Sequence, residues 1–204
     1  MGRPAIFASE WASAPASAAG VVTDLPDLAE RLRRITVEVA DSGASLGSGV
    51  LWPSGCVVTN AHVVRGSRAA VRLVDGRRLE GLLITRDTDA DLALLRVLGT
   101  GIPAASIGES TVAVGSLVAA VGHPLGVRGA LSVGIVHAVG PVRPGGRSWI
   151  QADVRLARGN SGGPLADATG QVIGLNAMVV GPLALAVPMS AVSRFVRAAG
   201  VSVT

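Results

Sequence analysis

The sequence predicts an all-β fold: two antiparallel six-stranded β-barrels followed by a C-terminal helix. Three observations carry that expectation. Hydrophobic residues make up 49% of the 204 residues but aromatics only 2%, so Val, Leu, Ile and Ala must fill the core. Val and Gly recur in short runs bounded by turn residues, and no long stretch keeps a helical period. The runs fall into two sets of six, parted by a Gly/Pro linker over 99–103.

Residues 1–24 are rich in Ala, Ser, Pro and Gly and read as a flexible tail whose apolar points are Phe7 and Trp11. The folded domain is expected over 25–204. Leu28 and Leu32, one helical turn apart within a charged stretch at 27–34, predict a short helix. The N-terminal barrel is expected over about 34–98, with strands at 35–40, 46–52, 56–59, 69–74, 79–85 and 92–97. Ser/Gly and Pro-Ser-Gly turns separate the early strands, and Asp75-Gly76 is a hairpin signal. The C-terminal barrel is expected over about 105–189, with strands at 117–121, 130–139, 149–152, 164–166, 172–179 and 184–187. A closing helix follows over 190–200, with Ser190 as its N-cap and Gly200 as its stop.

Charge and composition exclude several roles. The net charge is only +4; the sequence pI of 11.1 is high because the chain has neither Lys nor Tyr to titrate below the arginines. Those arginines are scattered, which fits a solvated surface rather than a nucleic-acid interface. Cys56 is the single cysteine, so no intrachain disulfide forms, and a reducing compartment is permitted. Near the N-terminus an apolar run, Ala5-Ile6-Phe7-Ala8, stops short before Glu10, although Ala16-Ser17-Ala18 resembles a cleavage site. That favours a cytoplasmic location over a secreted or periplasmic one. Residues 168–193 carry no charge and are long enough to span a bilayer, yet Gln171, Asn176, Pro182 and Pro188 would leave polar groups unpaired in lipid. Two strands and a turn fit better, and no membrane span is expected. One Cys and three scattered His residues offer no metal-ligand set, and no cofactor is expected.

Three stretches carry chemistry. Arg158-Gly159-Asn160-Ser161-Gly162-Gly163-Pro164 is a Gly-rich turn that can aim consecutive N–H groups at one point beside a hydroxyl, as an acyl-transfer oxyanion requires. His62 follows a strand in Val57-Val58-Thr59-Asn60-Ala61-His62. Asp91 stands at the mouth of the apolar strand Leu92-Ala93-Leu94-Leu95, with Asp87 and Asp89 as rivals for its role. Each has a plainer reading: a turn with an incidental serine, a hydrogen-bonded histidine, a strand-terminal aspartate. A nucleophilic serine needs a base within reach and an acid to orient that base, and the three in His–Asp–Ser order supply all of them.

These pieces resemble the trypsin-like protease domain of the HtrA (high-temperature-requirement) family, within the chymotrypsin-fold serine proteases. The resemblance also takes in Gly47-Ser48-Gly49-Val50, Val121-Gly122-His123-Pro124-Leu125-Gly126 and Ile150-Gln151-Ala152-Asp153, and covers about 25–200 in family order. It implies a serine endopeptidase acting on unfolded or damaged polypeptides, with His62 as base, Asp91 as orienting acid and Ser161 as nucleophile. The turn Gly159, Asn160, Ser161 would form the oxyanion hole, chiefly through the N–H groups of Gly159 and Ser161. Leu175, Asn176, Ala177, Met178 and Val187 are expected to bind substrate, with a preference for small or medium apolar residues before the scissile bond. Family trimers form through N-terminal aromatics, a role open to Phe7 or Trp11. Two departures stand out: Ala157-Arg158 replaces the usual Asn-Pro, and His123 stands where an asparagine is usual. No room is expected after the closing helix for the family's peptide-binding PDZ domain. The competing expectation is a non-catalytic peptide-binding or chaperone-like module on the same fold.

Overall fold

The computed structural model describes residues 18–41, 46–99, 101, 104–108 and 112–202, with side chains from residue 25 onward. A helix, α1 (Ala18–Ile35), opens the described chain. Six strands follow: β1 (Thr36–Ala40), β2 (Leu46–Trp52), β3 (Cys56–Thr59), β4 (Arg68–Arg72), β5 (Arg78–Asp87) and β6 (Leu92–Val97). They close into an antiparallel barrel in the order β1-β2-β3-β6-β5-β4. The second set is β7 (Leu117–Gly122), β8 (Ala130–Pro141), β9 (Ser148–Asp153), β10 (Pro164–Asp167), β11 (Val172–Val180) and β12 (Leu183–Pro188). These close as β10-β11-β12-β9-β8-β7, and α2 (Met189–Ala198) follows. Two six-stranded antiparallel barrels with a C-terminal helix is the fold class read from the sequence.

Three cores explain why the runs were so uniformly apolar. Val37, Val39, Leu51, Val57 and Leu95 fill the first barrel. Val118, Ala120, Ile150, Leu165 and Ile173 fill the second. Between them lies a third cluster that includes Val50, Val58, Leu94, Val121, Leu175 and Val192. Strand side chains alternate faces, so β2 sends Val50 to the junction and Leu51 inward. β6 does the same with Leu94 and Leu95, and β7 with Val121 and Ala120. A strand buried on both faces reads as a continuous hydrophobic run.

Turn chemistry follows the sequence at the β4–β5 hairpin. Leu73 N–H meets Arg77 O at 2.9 Å, and Gly76 at φ 91° takes the left-handed position. Asp75 accepts from both Arg77 N–H and Arg77 Nε, and these bonds hold its carboxyl below its usual range. The uncharged stretch 168–193 forms β11, a Gly181-Pro182 turn, β12 and the start of α2. Among the described residues no helix is long and apolar enough to cross a membrane.

The start of each helix differs from expectation. α1 begins at Ala18, within the stretch read as a tail, and carries Pro26 inside it; a proline in mid-pattern argues for a start after it. Leu28, Leu32 and Ile35 pack into the junction. Ser190 is not the N-cap of α2. Pro188, at φ −60° and ψ 142°, holds that place without a side-chain bond, and Ser190 lies in the first turn. The other end is as expected: Gly200 takes φ 72°, its N–H reaches Arg197 O at 2.9 Å, and Val201 N–H reaches Val196 O at 3.3 Å. That is a Schellman stop, with Val201 buried against the helix it ends. Phe7 and Trp11 lie outside the described residues.

Candidate active site

The first barrel contributes a histidine and a carboxylate that already touch. β3 ends at Thr59, and a turn places His62 at the barrel rim, its side chain 46% exposed. Asp91, just before β6, takes φ 54°, a left-handed conformation that aspartate tolerates better than most residues. Asn60, fully buried, donates from Nδ2 to the carbonyl of Asp91 at 2.9 Å and holds that bend. The carboxylate then reaches His62 Nδ1 at 2.9 and 3.0 Å and accepts the His62 backbone N–H at 3.1 Å. Such a two-point hold sets ring orientation and keeps the proton on Nδ1, leaving Nε2 to act as a base. The rivals are otherwise engaged: Asp87 Oδ1 accepts from Ala90 N–H at 2.8 Å, and the Asp89 side chain is exposed while its carbonyl takes Arg147.

The second barrel contributes the serine turn between β9 and β10. Asn160 N–H is spent on Ala157 O at 3.0 Å, and Gly163 N–H on Asn160 O at 3.0 Å. Asn160 is therefore not a hole donor, contrary to its inclusion in the expected set. Gly159 and Ser161 have N–H groups with no acceptor among the described residues. Two positions in the turn demand glycine. Gly159 stands at φ 105°, where a Cβ would strike the carbonyl of His123, and Gly162 at φ 85°, where it would strike Ser48 O and Thr59 Oγ1.

Ser161 Oγ donates to the carbonyl of Ala177 at 2.9 Å. Ala177 is the extra residue of a bulge where the β11–β12 register shifts between Asn176 and Met178, and bulges re-aim groups in this way. The other expected substrate residues divide. Leu175 and Val187 are buried in the junction core, and Val187 also borders a cleft lined by Arg147, Ile173 and Ser190. Asn176 is buried too, its Nδ2 donating to Pro164 O at 2.8 Å. Met178 is exposed, with Val179 and Val180 beside it along β11.

Sequence reasoning missed the struts that hold this turn. Ser48 N–H donates to Ser161 O at 2.7 Å, and Ser48 Oγ donates to Gly159 O at 2.7 Å. The same hydroxyl accepts from His123 N–H at 3.1 Å and lies 3.1 Å from His123 Nδ1. Thr59 Oγ1 donates to Ser48 O at 2.6 Å. A serine between two glycines was the available signal, because Gly47 and Gly49 admit Val63 and Val57 too closely for any Cβ. Among the described residues no group of three His, Cys, Asp or Glu side chains could hold a metal ion.

The trypsin-like peptidase domain pattern matches residues 47–175, a span that includes His62, Asp91 and Ser161. The chain belongs to that family. A protein of Halomonas elongata named as a DegP-like periplasmic serine endoprotease is 41% identical over 140 residues, covering 66% of this chain and 30% of the relative. One of the same name from Pseudomonas savastanoi is also 41% identical over 140 residues, covering 66% and 29%. A serine protease of Synechocystis named HhoB is 42% identical over 142 residues, covering 65% and 34%. The trypsin-like chain thus spans about a third of the length of these relatives. The expected cytoplasmic location is overturned by the periplasmic names of the DegP-like relatives. It rested on a short apolar run, in residues outside those described, and on a lone cysteine that suits either compartment.

Proposed function

We propose that the chain is a serine endopeptidase in which Ser161, His62 and Asp91 act as one unit. The observation that carries this reading is the double contact of Asp91 with His62 Nδ1, which leaves Nε2 free for proton transfer. Ser161 Oγ attacks the scissile carbonyl carbon as His62 takes its proton; the tetrahedral oxyanion rests on the N–H groups of Gly159 and Ser161. Collapse breaks the C–N bond, His62 returns the proton to the departing amine, and water hydrolyses the acyl-enzyme by the same steps. The Ser161 hydroxyl, which donates to the carbonyl of Ala177, must first turn towards His62.

Substrate is proposed to lie extended along the exposed Met178–Val180 edge of β11, as an added strand. No acidic residue lies on β11 or β12 to pair with a buried Arg or Lys, so small or medium apolar residues should precede the cut bond. Unfolded or damaged polypeptides are the substrates that can adopt this extended path, and the periplasmic location in the relatives' names is proposed for this chain as well.

The Ser161–Ala177 hydrogen bond also favours a second reading, a peptide-binding module on the same fold without catalysis. A fluorophosphonate probe separates them. Labelling of the native protein, absent in Ser161→Ala, is expected; a folded protein that resists labelling would support the binding module.

A further inference from the structure

A cleft of about 60 Å³ lies among α1, the end of β4 and the loop joining β7 to β8. Arg33, Arg72 and Arg128 line it, and His123 forms part of its wall. Glu38, opposite Arg72 in the β1–β4 ladder, approaches Arg72 Nη1 only to 3.9 Å, beyond hydrogen-bond distance. Arg33 Nε spends itself on a neutral acceptor, Gly129 O at 2.7 Å. Arg72 Nε is buried and has no acceptor among the described residues. Arg128 is exposed and makes no ion pair among the described residues.

A guanidinium donor withdrawn from water needs an acceptor, and a carboxylate or phosphate oxygen is the acceptor its fork fits best. The cleft's volume is about twice a water's share of liquid, roughly 30 Å³, enough for one such headgroup. We propose that this cleft binds a single oxyanion headgroup, carboxylate or phosphate, between Arg72 and Arg128.

The site has a path to the serine turn. Ser48 Oγ has one proton and two possible acceptors, His123 Nδ1 at 3.1 Å and Gly159 O at 2.7 Å. When Nδ1 carries hydrogen, His123 donates to Ser48 and the serine proton is left for Gly159. Burial holds the His123 ring below the usual histidine range; Arg128 lowers it further and Glu38 opposes. An anion beside Arg128 neutralises that push and favours the imidazolium, which commits Ser48 to Gly159. Binding stands apart from the peptidase reading; only the value of this coupling rests on it.

The test uses the full chain at constant ionic strength, titrated with inorganic phosphate, with acetate, and with sodium chloride as control. Phosphate or acetate should raise the melting temperature saturably by about 3 °C or more, and the His123 pKa read by NMR should rise with it. Arg72→Gln and Arg128→Gln should each weaken binding about tenfold or more. Arg128 is exposed, so its variant keeps the test alive if Arg72→Gln does not fold. A response to phosphate alone assigns a tetrahedral phosphate ligand, and one to acetate as well assigns a carboxylate-ended one. No rise beyond the chloride control, or an equal rise in both variants, overturns the site. A rise in melting temperature with His123 unmoved overturns the coupling.

Discussion

The two barrels share one closed six-strand topology and divide the site unequally. The first completes its half alone: His62, Asn60 and Asp91 all belong to it, and their bonds run between β3 and β6 strand ends. The second does not. Its serine turn is pinned by Ser48, a residue of β2 in the other barrel, through both backbone and side chain. The proposed base–acid pair is thus a property of one barrel, whereas the shape of the proposed oxyanion turn is a property of the junction. Damage confined to the junction should spare the first and loosen the second.

The largest effects should fall on the reacting groups whichever barrel holds them. Ser161→Ala and His62→Ala should each lower kcat by about 10⁴-fold or more, and the double variant should be little worse. Asp91→Asn should approach the same loss, about 10⁴-fold, because the amide favours the wrong tautomer of His62. Peptide hydrolysis and near-UV dichroism check activity and fold together. Silent Asp91→Asn beside a crippling Asp89→Asn would break the assignment of the first barrel's half.

A smaller effect sharpens the contrast. Ser48→Ala removes the hydroxyl bond to Gly159 O and the nearer acceptor of the His123 N–H, which leaves that N–H only its 3.3 Å bond to the same carbonyl. Stability should fall by about 0.5–1.5 kcal/mol, the net worth of one intramolecular hydrogen bond. Turnover should fall by about 10- to 100-fold, less than the roughly 10²–10³-fold that outright loss of one oxyanion donor costs, with KM little changed. The His62 ring signal in NMR should not move, since Asp91 holds it from within its own barrel. A moved His62 signal would show that the two halves are not separable.

What was legible in the chain follows the same division. Strands β2, β3 and β6 match their expected ranges to the residue, because burial on both faces, the Pro-Ser-Gly turn between β2 and β3 and Asp91 before β6 mark them locally. The same double burial hid parity, so Leu175 and Val187 read as pocket residues although both pack in the junction. Three aspartates stood within five positions, 87–91; what selects Asp91 is its φ of 54° and the bond from Asn60, 31 positions away. The Ser48–His123 and Ser48–Gly159 contacts span 75 and 111 positions, a separation that no local periodicity encodes. At α2, the fixed φ of Pro188 settled the helix start against Ser190, a competition between two good starters that spacing alone leaves open.

The smallest expected effect concerns pH and tests the junction again. The folded pKa of His123 lies below the ordinary value of 6.5, mainly because burial penalises the charged ring. Between those two values the unfolded chain holds more proton at this ring than the folded one, so stability rises with pH there. His123 therefore costs nothing above about pH 6.5 and destabilises progressively as pH falls below it. His123→Asn, which carries the residue usual in the family, should flatten that part of the stability curve. The difference between the two proteins' curves isolates His123. Carboxylates titrate nearer pH 4, which leaves the window between about pH 5 and 6.5 clear. Urea unfolding across that window, in phosphate-free buffer, should show the wild type losing stability faster than the variant. Parallel curves, or a wild type that gains stability on acidification, would mean that the ring accepts a proton freely in place. In the second case the imidazolium, and with it the Ser48 bond to Gly159, would gain population towards neutral pH without any ligand in the arginine cleft.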